Sequence, residues 1–146
     1  IVIEIAMISG KIEEFATFEN KDIKEKEEIT VENGISIKFN FKDRIIALIY
    51  TLLYKLEDDA IVKLKTRHEF DFSDNKWKSF YIDDRFIIDH NILMYIGELS
   101  INSSRGMLIM KLNDTQYKEL IIPLIEINSI IDEGINVDIK DTIEES

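Results

Sequence analysis

Apolar and polar residues alternate along the chain from position 62 to position 72. One parity holds Val62, Leu64, Thr66, His68, Phe70 and Phe72, and the other holds Lys63, Lys65, Arg67, Glu69 and Asp71. A period of two is typical of a strand with one buried face and one solvated face. The segment 31–41 alternates in the same way, although Asn33-Gly34 predicts a turn or a bulge within it.

The segment between these two, 45–56, is apolar on both parities, which predicts a strand covered on both sides. A helix is the main alternative, but the β-branched and aromatic content favours a strand. Glu57-Asp58-Asp59 predicts a tight turn, so 45–56 and 62–72 are expected to form an antiparallel hairpin. A further short strand is predicted at 12–19, and the highly charged segment 21–28 is expected to be a solvated connection.

After an aromatic crossover loop at 73–83, the apolar period becomes helical. The positions that recur at this spacing are Ile88, Ile92, Tyr95, Ile96, Leu99 and Ser103. Asp83 or Asp84 is the expected N-cap, and Asn113-Asp114 is the expected end. The small residues of this helix, among them Ser100 and Ser103, would allow close approach to a sheet or to a second helix.

Pro123 excludes an ordinary helix around it, so 120–127 should be extended. Residues 129–133 are expected to form a last turn or short helix, and 135–146 a mobile acidic tail. Strands followed by a helix predict an α+β fold, in which a four-stranded antiparallel sheet carries a long helix on one face. We expect one domain over residues 1–133 and an acidic C-terminal tail over 134–146.

Composition narrows the function classes. The chain has 146 residues, no cysteine and a net charge of −11, so disulfides and thiolate metal sites are excluded and nucleic-acid binding is not expected. No apolar run approaches the roughly 20 residues that span a bilayer. The first residues have neither a basic leader nor a cleavage site typical of signal peptides. We therefore expect a cytoplasmic protein without membrane insertion.

The sequence contains no grouping of residues typical of a catalytic site. The chain has two histidines: His68 lies on the apolar parity of a strand, where a hydrogen-bonded core histidine is expected, and His90 follows Asp89, whose side chain would point away from it on a helix. No third metal ligand has suitable spacing. The abundant carboxylates lie in surface runs, and no glycine-rich phosphate loop is present. We predict no catalytic activity, no metal site and no cofactor.

Apolar residues outside the predicted core positions are more informative about function than these polar groups. The crossover loop holds Trp77, Phe80 and Tyr81, and the segment around the proline holds Ile121, Ile122, Leu124 and Ile125. These residues either cover the sheet edges and the helix, or line a groove that takes extended apolar peptides. The sequence leaves both interpretations open.

The order of elements, from position 11 to 132, resembles the SecB export chaperones and, more closely, SecB-like proteins. The end of the helix, 99–108, resembles a SecB-like pattern of small residues followed by Arg-Gly, here Arg105-Gly106. The segment 123–128, from Pro123 to Asn128, is similar to the family's pattern of a proline followed by apolar residues and an asparagine.

The resemblance implies an ATP-independent chaperone that holds unfolded or non-native polypeptides, assembled as a homotetramer of two dimers. It implies a client-binding groove lined by Trp77, Phe80, Tyr81, Ile121, Ile122, Leu124 and Ile125. It implies an oligomer interface on the long helix, to which we assign Ile96, Ser100, Ser103 and Met107. The SecA motor is a further partner in the family, but the exposed strand face here begins with basic residues where the family has an acidic dock.

Two other functions stay open beside this one. Some SecB-like proteins serve toxin–antitoxin systems, so a single dedicated client is an alternative to general export. An acidic immunity or antitoxin-associated protein that binds one basic partner is a further alternative, because the charge of −11 would attract such a partner.

Overall fold

Four antiparallel strands form the main sheet of the molecule. The computed structural model describes residues 2–19 and 29–120, together with the backbone of residues 136–138. In chain order the elements are β1 (Ile5–Thr17), β2 (Ile29–Asn40), β3 (Ile45–Leu56), β4 (Asp59–Phe72), α1 (Asp74–Lys78), β5 (Tyr81–Ile82), β6 (Arg85–Ile87), α2 (His90–Leu112) and β7 (Asn136–Asp138). The main sheet has the order β1-β4-β3-β2, and the 23-residue helix α2 packs against it. The predicted α+β fold is confirmed.

Strand β3 has the predicted bounds, and the helical alternative for this segment is wrong. Residues 46–50 are all buried, so β3 is covered on both faces as predicted. On the face away from α2, buried Ala47 lies opposite Glu69, and buried Ile49 lies opposite Arg67. The aliphatic parts of such long side chains cover apolar surface while their charged ends stay in water.

Strand β2 contains no interruption at Asn33-Gly34. Its register against β3 runs without a shift from Ile29 opposite Leu56 to Asn40 opposite Ile45. The chain instead turns after β2, where the side chain of Asn40 accepts a hydrogen bond from the backbone N–H of Asp43 at 3.0 Å. Gly34 thus lies inside the ladder, and the prediction of a turn or bulge there is wrong.

Strand β1 begins earlier than predicted and is the most irregular strand of the sheet. It spans Ile5–Thr17, whereas the sequence predicted only 12–19. Its pairing with β4 shifts register between Met7 and Ser9 and again between Ile12 and Glu14. Each shift moves the buried parity by one residue, which hides the alternation from a sequence reading.

The crossover loop contains a short helix and a small second sheet. Helix α1 is capped by Ser73, whose hydroxyl accepts a hydrogen bond from the backbone N–H of Lys76. Strands β5, β6 and β7 then form a three-stranded sheet. Strand β7 comes from the segment predicted to be a mobile acidic tail, and it pairs with β6. The predictions for 121–127 and 129–133 lie outside the described residues.

Helix α2 begins at a different cap from the predicted one. The side chain of Asp89 accepts a hydrogen bond from the backbone N–H of Asn91 at 2.9 Å, so Asp89 is the N-cap. Asp83 and Asp84, the predicted caps, have positive φ angles of 49° and 64° and connect β5 to β6. The predicted end of the helix at Asn113 is confirmed.

The face of α2 against the sheet combines apolar and small residues. Its buried residues are Ile92, Leu93, Ile96, Gly97, Ser100, Ile101, Ser104, Leu108 and Leu112. Tyr95, which the helical spacing placed with them, is 56% exposed. In the described part of the chain, no helix is long and apolar enough to cross a membrane.

Candidate functional site

Two hydrogen bonds fix α2 on the sheet. The hydroxyls of Thr66 on β4 and Ser104 on α2 are 2.7 Å apart, and His68 Nε2 lies 2.8 Å from the hydroxyl of Ser103. Thr66, His68 and Ser104 are fully buried. Such paired polar groups stabilise one position of the helix, because sliding it would leave buried groups without partners.

A glycine on β1 lets the helix and His68 come close to the edge of the sheet. A Cβ atom added to Gly10 would lie 2.9 Å from His68 Cδ2 and 3.6 Å from the methyl carbon of Met107. Gly10 also lies opposite His68 in the β1–β4 register. The absence of a side chain at this position therefore makes room for the imidazole and leaves Met107 against the edge strand.

An open cleft with a methionine-rich wall lies between the C-terminal half of α2 and strand β1. Its volume is about 490 Å³, and its lining residues are Ile12, Met107, Met110, Lys111 and Asp114. Met110 is 79% exposed. The ammonium group of Lys111 lies 6.0 Å from the centre of the Phe15 ring, within reach of a cation–π interaction. We call this surface the methionine cleft.

Further exposed apolar residues lie on β1, outside the lining of the methionine cleft. Met7 is 43% exposed and Ile8, at the first register shift of β1, is 52% exposed. On α2, Ile109 is 59% exposed, but it does not line the methionine cleft. Flexible thioethers and aliphatic side chains can adapt to different apolar partners. The methionine cleft thus offers adaptable apolar side chains for contact with a partner.

The aromatic residues predicted for a client groove lie in a different part of the molecule. Trp77 and Phe80 are each only 3% exposed. The ring of Trp77 has its centre 4.7 Å from that of Phe86, and the ring of Phe80 has its centre 5.7 Å from that of Phe72. Tyr81 is 36% exposed and packs edge-on against Phe86. This aromatic cluster accounts for the burial of Trp77 and Phe80 within one chain.

The other predicted groove residues, Ile121, Ile122, Leu124 and Ile125, lie outside the described residues. The groove that would join them to the aromatic loop stays a prediction.

The residues assigned to an oligomer interface divide into two groups. Ile96 and Ser100 are fully buried inside their own chain, and the hydroxyl of Ser100 donates to the carbonyl of Ile96 at 2.8 Å. Ser103 and Met107 are half-buried, the first bonded to His68 and the second lining the methionine cleft. Oligomer formation itself stays a prediction.

Of the cleft residues, sequence reasoning assigned a site role only to Met107, and that role was in an oligomer interface. A usable signal was the apolar run at 107–110, in which Ile109 and Met110 fall outside the buried positions of the helix. Ile12 lies across the cleft from Met107 and Met110. Its proximity depends on how the helix docks, which no local pattern shows.

Among the described residues, burial is the main cause of the pKa shift of one histidine and two tyrosines. Burial lowers the pKa of His68, and it raises the pKa of Tyr54 to about 12. Burial also raises the pKa of Tyr50, with a smaller contribution from Tyr54. Across residues 2–19 and 29–120, no three side chains among His, Asp and Glu are grouped so that they could hold a metal ion.

No protein-family model matches the sequence, and no curated protein matches it significantly. Of what the resemblance to SecB-like proteins implied, the structure supports only a four-stranded antiparallel sheet with a long helix.

Proposed function

We propose that this protein is an ATP-independent, SecB-like chaperone that holds unfolded or non-native polypeptides, either for export or for one dedicated client. The observation that carries the proposal is the methionine cleft, which is open to solvent and is lined by Ile12, Met107 and Met110 together with Lys111 and Asp114. Exposed apolar patches of this kind mark protein interaction sites.

The walls of the methionine cleft suit clients of varied sequence. Met107 and Met110 can change rotamer at low cost, whereas the polar pairs beneath Met107 keep the helix in place. A fixed frame with adaptable side chains favours contact with many apolar segments over recognition of one shape. The agreement in coarse fold with the sheet-and-helix protomer of SecB-like proteins also supports the proposal.

The test is binding of a permanently unfolded, apolar-rich polypeptide to the purified protein, measured by fluorescence anisotropy at low and high salt. We expect binding that persists at high salt, because apolar contacts are not screened. Replacement of Met110 by serine should weaken binding by roughly 10- to 100-fold, since burial of a methionine side chain contributes roughly 1.5–3 kcal/mol.

Tyr95→Ser is the matched control, because Tyr95 is an exposed apolar residue of the same helix that does not line the methionine cleft. It should bind the polypeptide like the wild type. Absence of binding, or equal losses in the two variants, would contradict the proposal. Binding that disappears at high salt would instead favour the acidic protein with one basic partner.

A further inference from the structure

Strand β2 is a long and regular edge of the main sheet. Its twelve residues pair with β3 on one side without a register shift, and among the described residues no strand pairs with its other side. The opposite edge, β1, is interrupted by two register shifts. Proteins often protect sheet edges with bulges, prolines or very short strands, and β2 has none of these features. Its outward N–H and C=O groups are therefore a template for a further strand.

The apolar side of β2 is only half covered within the protomer. Ile35 lies opposite Tyr50 in the ladder, and Tyr50 lies opposite Thr66, which bonds to α2. Ile35 is therefore on the face of the sheet that carries the helix, together with Val31 and Ile37. These three side chains are half-buried, whereas the residues of β3 opposite them are buried. A strand added at this edge would remove more of their surface from water.

The charges of β2 match those of a second β2 in one register. The strand has two charged residues, Glu32 and Lys38, both on the face away from α2. Antiparallel pairing about a two-fold axis perpendicular to the sheet keeps both helices on the same side. With Ile35 at the axis, Glu32 of each copy lies opposite the partner's Lys38. Moving the axis by one residue places Glu32 opposite the partner's Ser36 or Asn40 instead.

The same register matches apolar residues on the face that carries α2. Val31 lies opposite the partner's Phe39, and Ile35 lies opposite its own copy at the axis. Asn33, which is exposed in the protomer, lies opposite the partner's Ile37. Cross-strand pairs of apolar residues and of opposite charges both stabilise antiparallel strands. One register therefore satisfies the two faces of β2 together.

The face away from α2 has room for an incoming lysine side chain. An open hollow of about 250 Å³ lies beside Gly34, and Glu32, Thr51 and Lys63 are among the residues that line it. The carboxylate of Glu32 pairs with Lys55 at 2.8 Å, but the side chain of Glu32 is 60% exposed. A second ammonium group can therefore reach this carboxylate from solvent.

We propose that two copies of the protein associate through β2, so that their two four-stranded sheets form one sheet of eight strands. The interface is isologous, and the pair of Glu32 with the partner's Lys38 occurs twice in it. The inference does not depend on the proposed chaperone function, because the methionine cleft lies beside β1, at the opposite edge of the sheet.

The first test is sedimentation of the purified protein over a range of concentrations, for which we expect a monomer–dimer equilibrium. Lys38→Glu places like charges opposite each other at both pairs and should raise the dimer dissociation constant roughly 10- to 100-fold. The double variant Glu32→Lys, Lys38→Glu restores opposite charges and should regain dimer formation. Lys11→Glu makes the same charge change at an exposed position of β1 and should dimerise like the wild type.

Three results of this test would overturn the inference. The first is a wild-type protein that stays monomeric at every concentration. The second is an equal loss of dimer in Lys38→Glu and Lys11→Glu, and the third is a double variant that dimerises no better than Lys38→Glu. Circular dichroism of each variant establishes that it is folded before its association is compared.

Hydrogen exchange of the unaltered protein locates the interface independently. Alternate amide N–H groups of an edge strand face solvent and exchange quickly. Those of β2 should be protected above the dissociation constant and lose protection on dilution, whereas the outward amides of β1 should not change. Loss of protection in β1 instead of β2 would place the contact at the other edge. Protection of β2 at every concentration would show that its edge is covered within one chain, and either result would overturn the inference.

Discussion

At the scale of single residues, His68 shows what the sequence can and cannot predict. Its place on the apolar parity of a strand predicted a hydrogen-bonded core histidine, and the residue is fully buried and bonded to Ser103. The identity of the partner could not be predicted, because it depends on how α2 docks. The Nδ1 atom is buried without a partner.

The environment of His68 makes stability depend on pH. Burial holds the pKa of the folded-state imidazole below its ordinary value of about 6.5, so the unfolded chain binds the proton more readily than the folded chain does. The contribution of neutral His68 is therefore complete above the unfolded pKa, and it is lost as pH falls from there towards the folded pKa. Urea unfolding should show lower stability at about pH 5.5 than at about pH 7.5.

His68→Gln retains a side chain that can bond Ser103 but does not titrate. This variant should lose less stability over the same pH interval than the wild type. An identical pH dependence in both proteins would show that other groups are responsible.

Gly10 and Gly106 should respond to alanine in opposite directions. Gly10→Ala would place a Cβ atom 2.9 Å from the buried His68 ring, and overpacking of this kind costs about 1–3 kcal/mol. Gly106→Ala adds its Cβ atom to open space on a helix, where alanine is more stable than glycine by about 0.5–1 kcal/mol. Urea unfolding of both variants gives the comparison, and a neutral Gly10→Ala would contradict the close approach.

At the scale of secondary structure, elements with a regular pattern were predicted well, whereas elements with a local irregularity were missed or misplaced. The bounds of β3 were predicted correctly from an apolar segment next to a clearly alternating strand. The end of α2 was predicted correctly from Asn113-Asp114. Both signals are local in the sequence. The first half of β1 was missed because its register shifts twice. The start of α2 was misplaced because Asp83 and Asp84 are good cap residues that here form a turn.

The corrected helix start gives a direct test. Asp89→Ala removes the acceptor for the Asn91 N–H, and loss of an N-cap side chain costs about 1 kcal/mol. Asp84→Gly should be neutral or stabilising, because glycine adopts the positive φ of 64° found there without strain. Chemical unfolding distinguishes the two assignments, and a greater loss for Asp84→Gly would favour the cap first predicted.

At the scale of the whole molecule, the fold was predictable and the candidate site was only partly so. Strand alternation and one helical period suffice for an α+β sheet with a helix on one face. The methionine cleft joins Ile12 to residues near the end of α2, and this proximity is a result of docking. The aromatic loop residues were expected in a groove, whereas Trp77 packs against Phe86 of β6, a strand that the sequence did not predict. Phe80 packs against Phe72 at the end of β4.

The strand order also determines when each strand can find its partner. Strands β2, β3 and β4 form consecutive hairpins, but β1, the first to be synthesised, pairs only with β4 among the strands described. Pairings between distant segments form late, and unpaired apolar strands are open to aggregation until they do. During synthesis, β1 therefore stays unpaired, with Met7 and Ile8 exposed, until the β2–β3 and β3–β4 hairpins have formed.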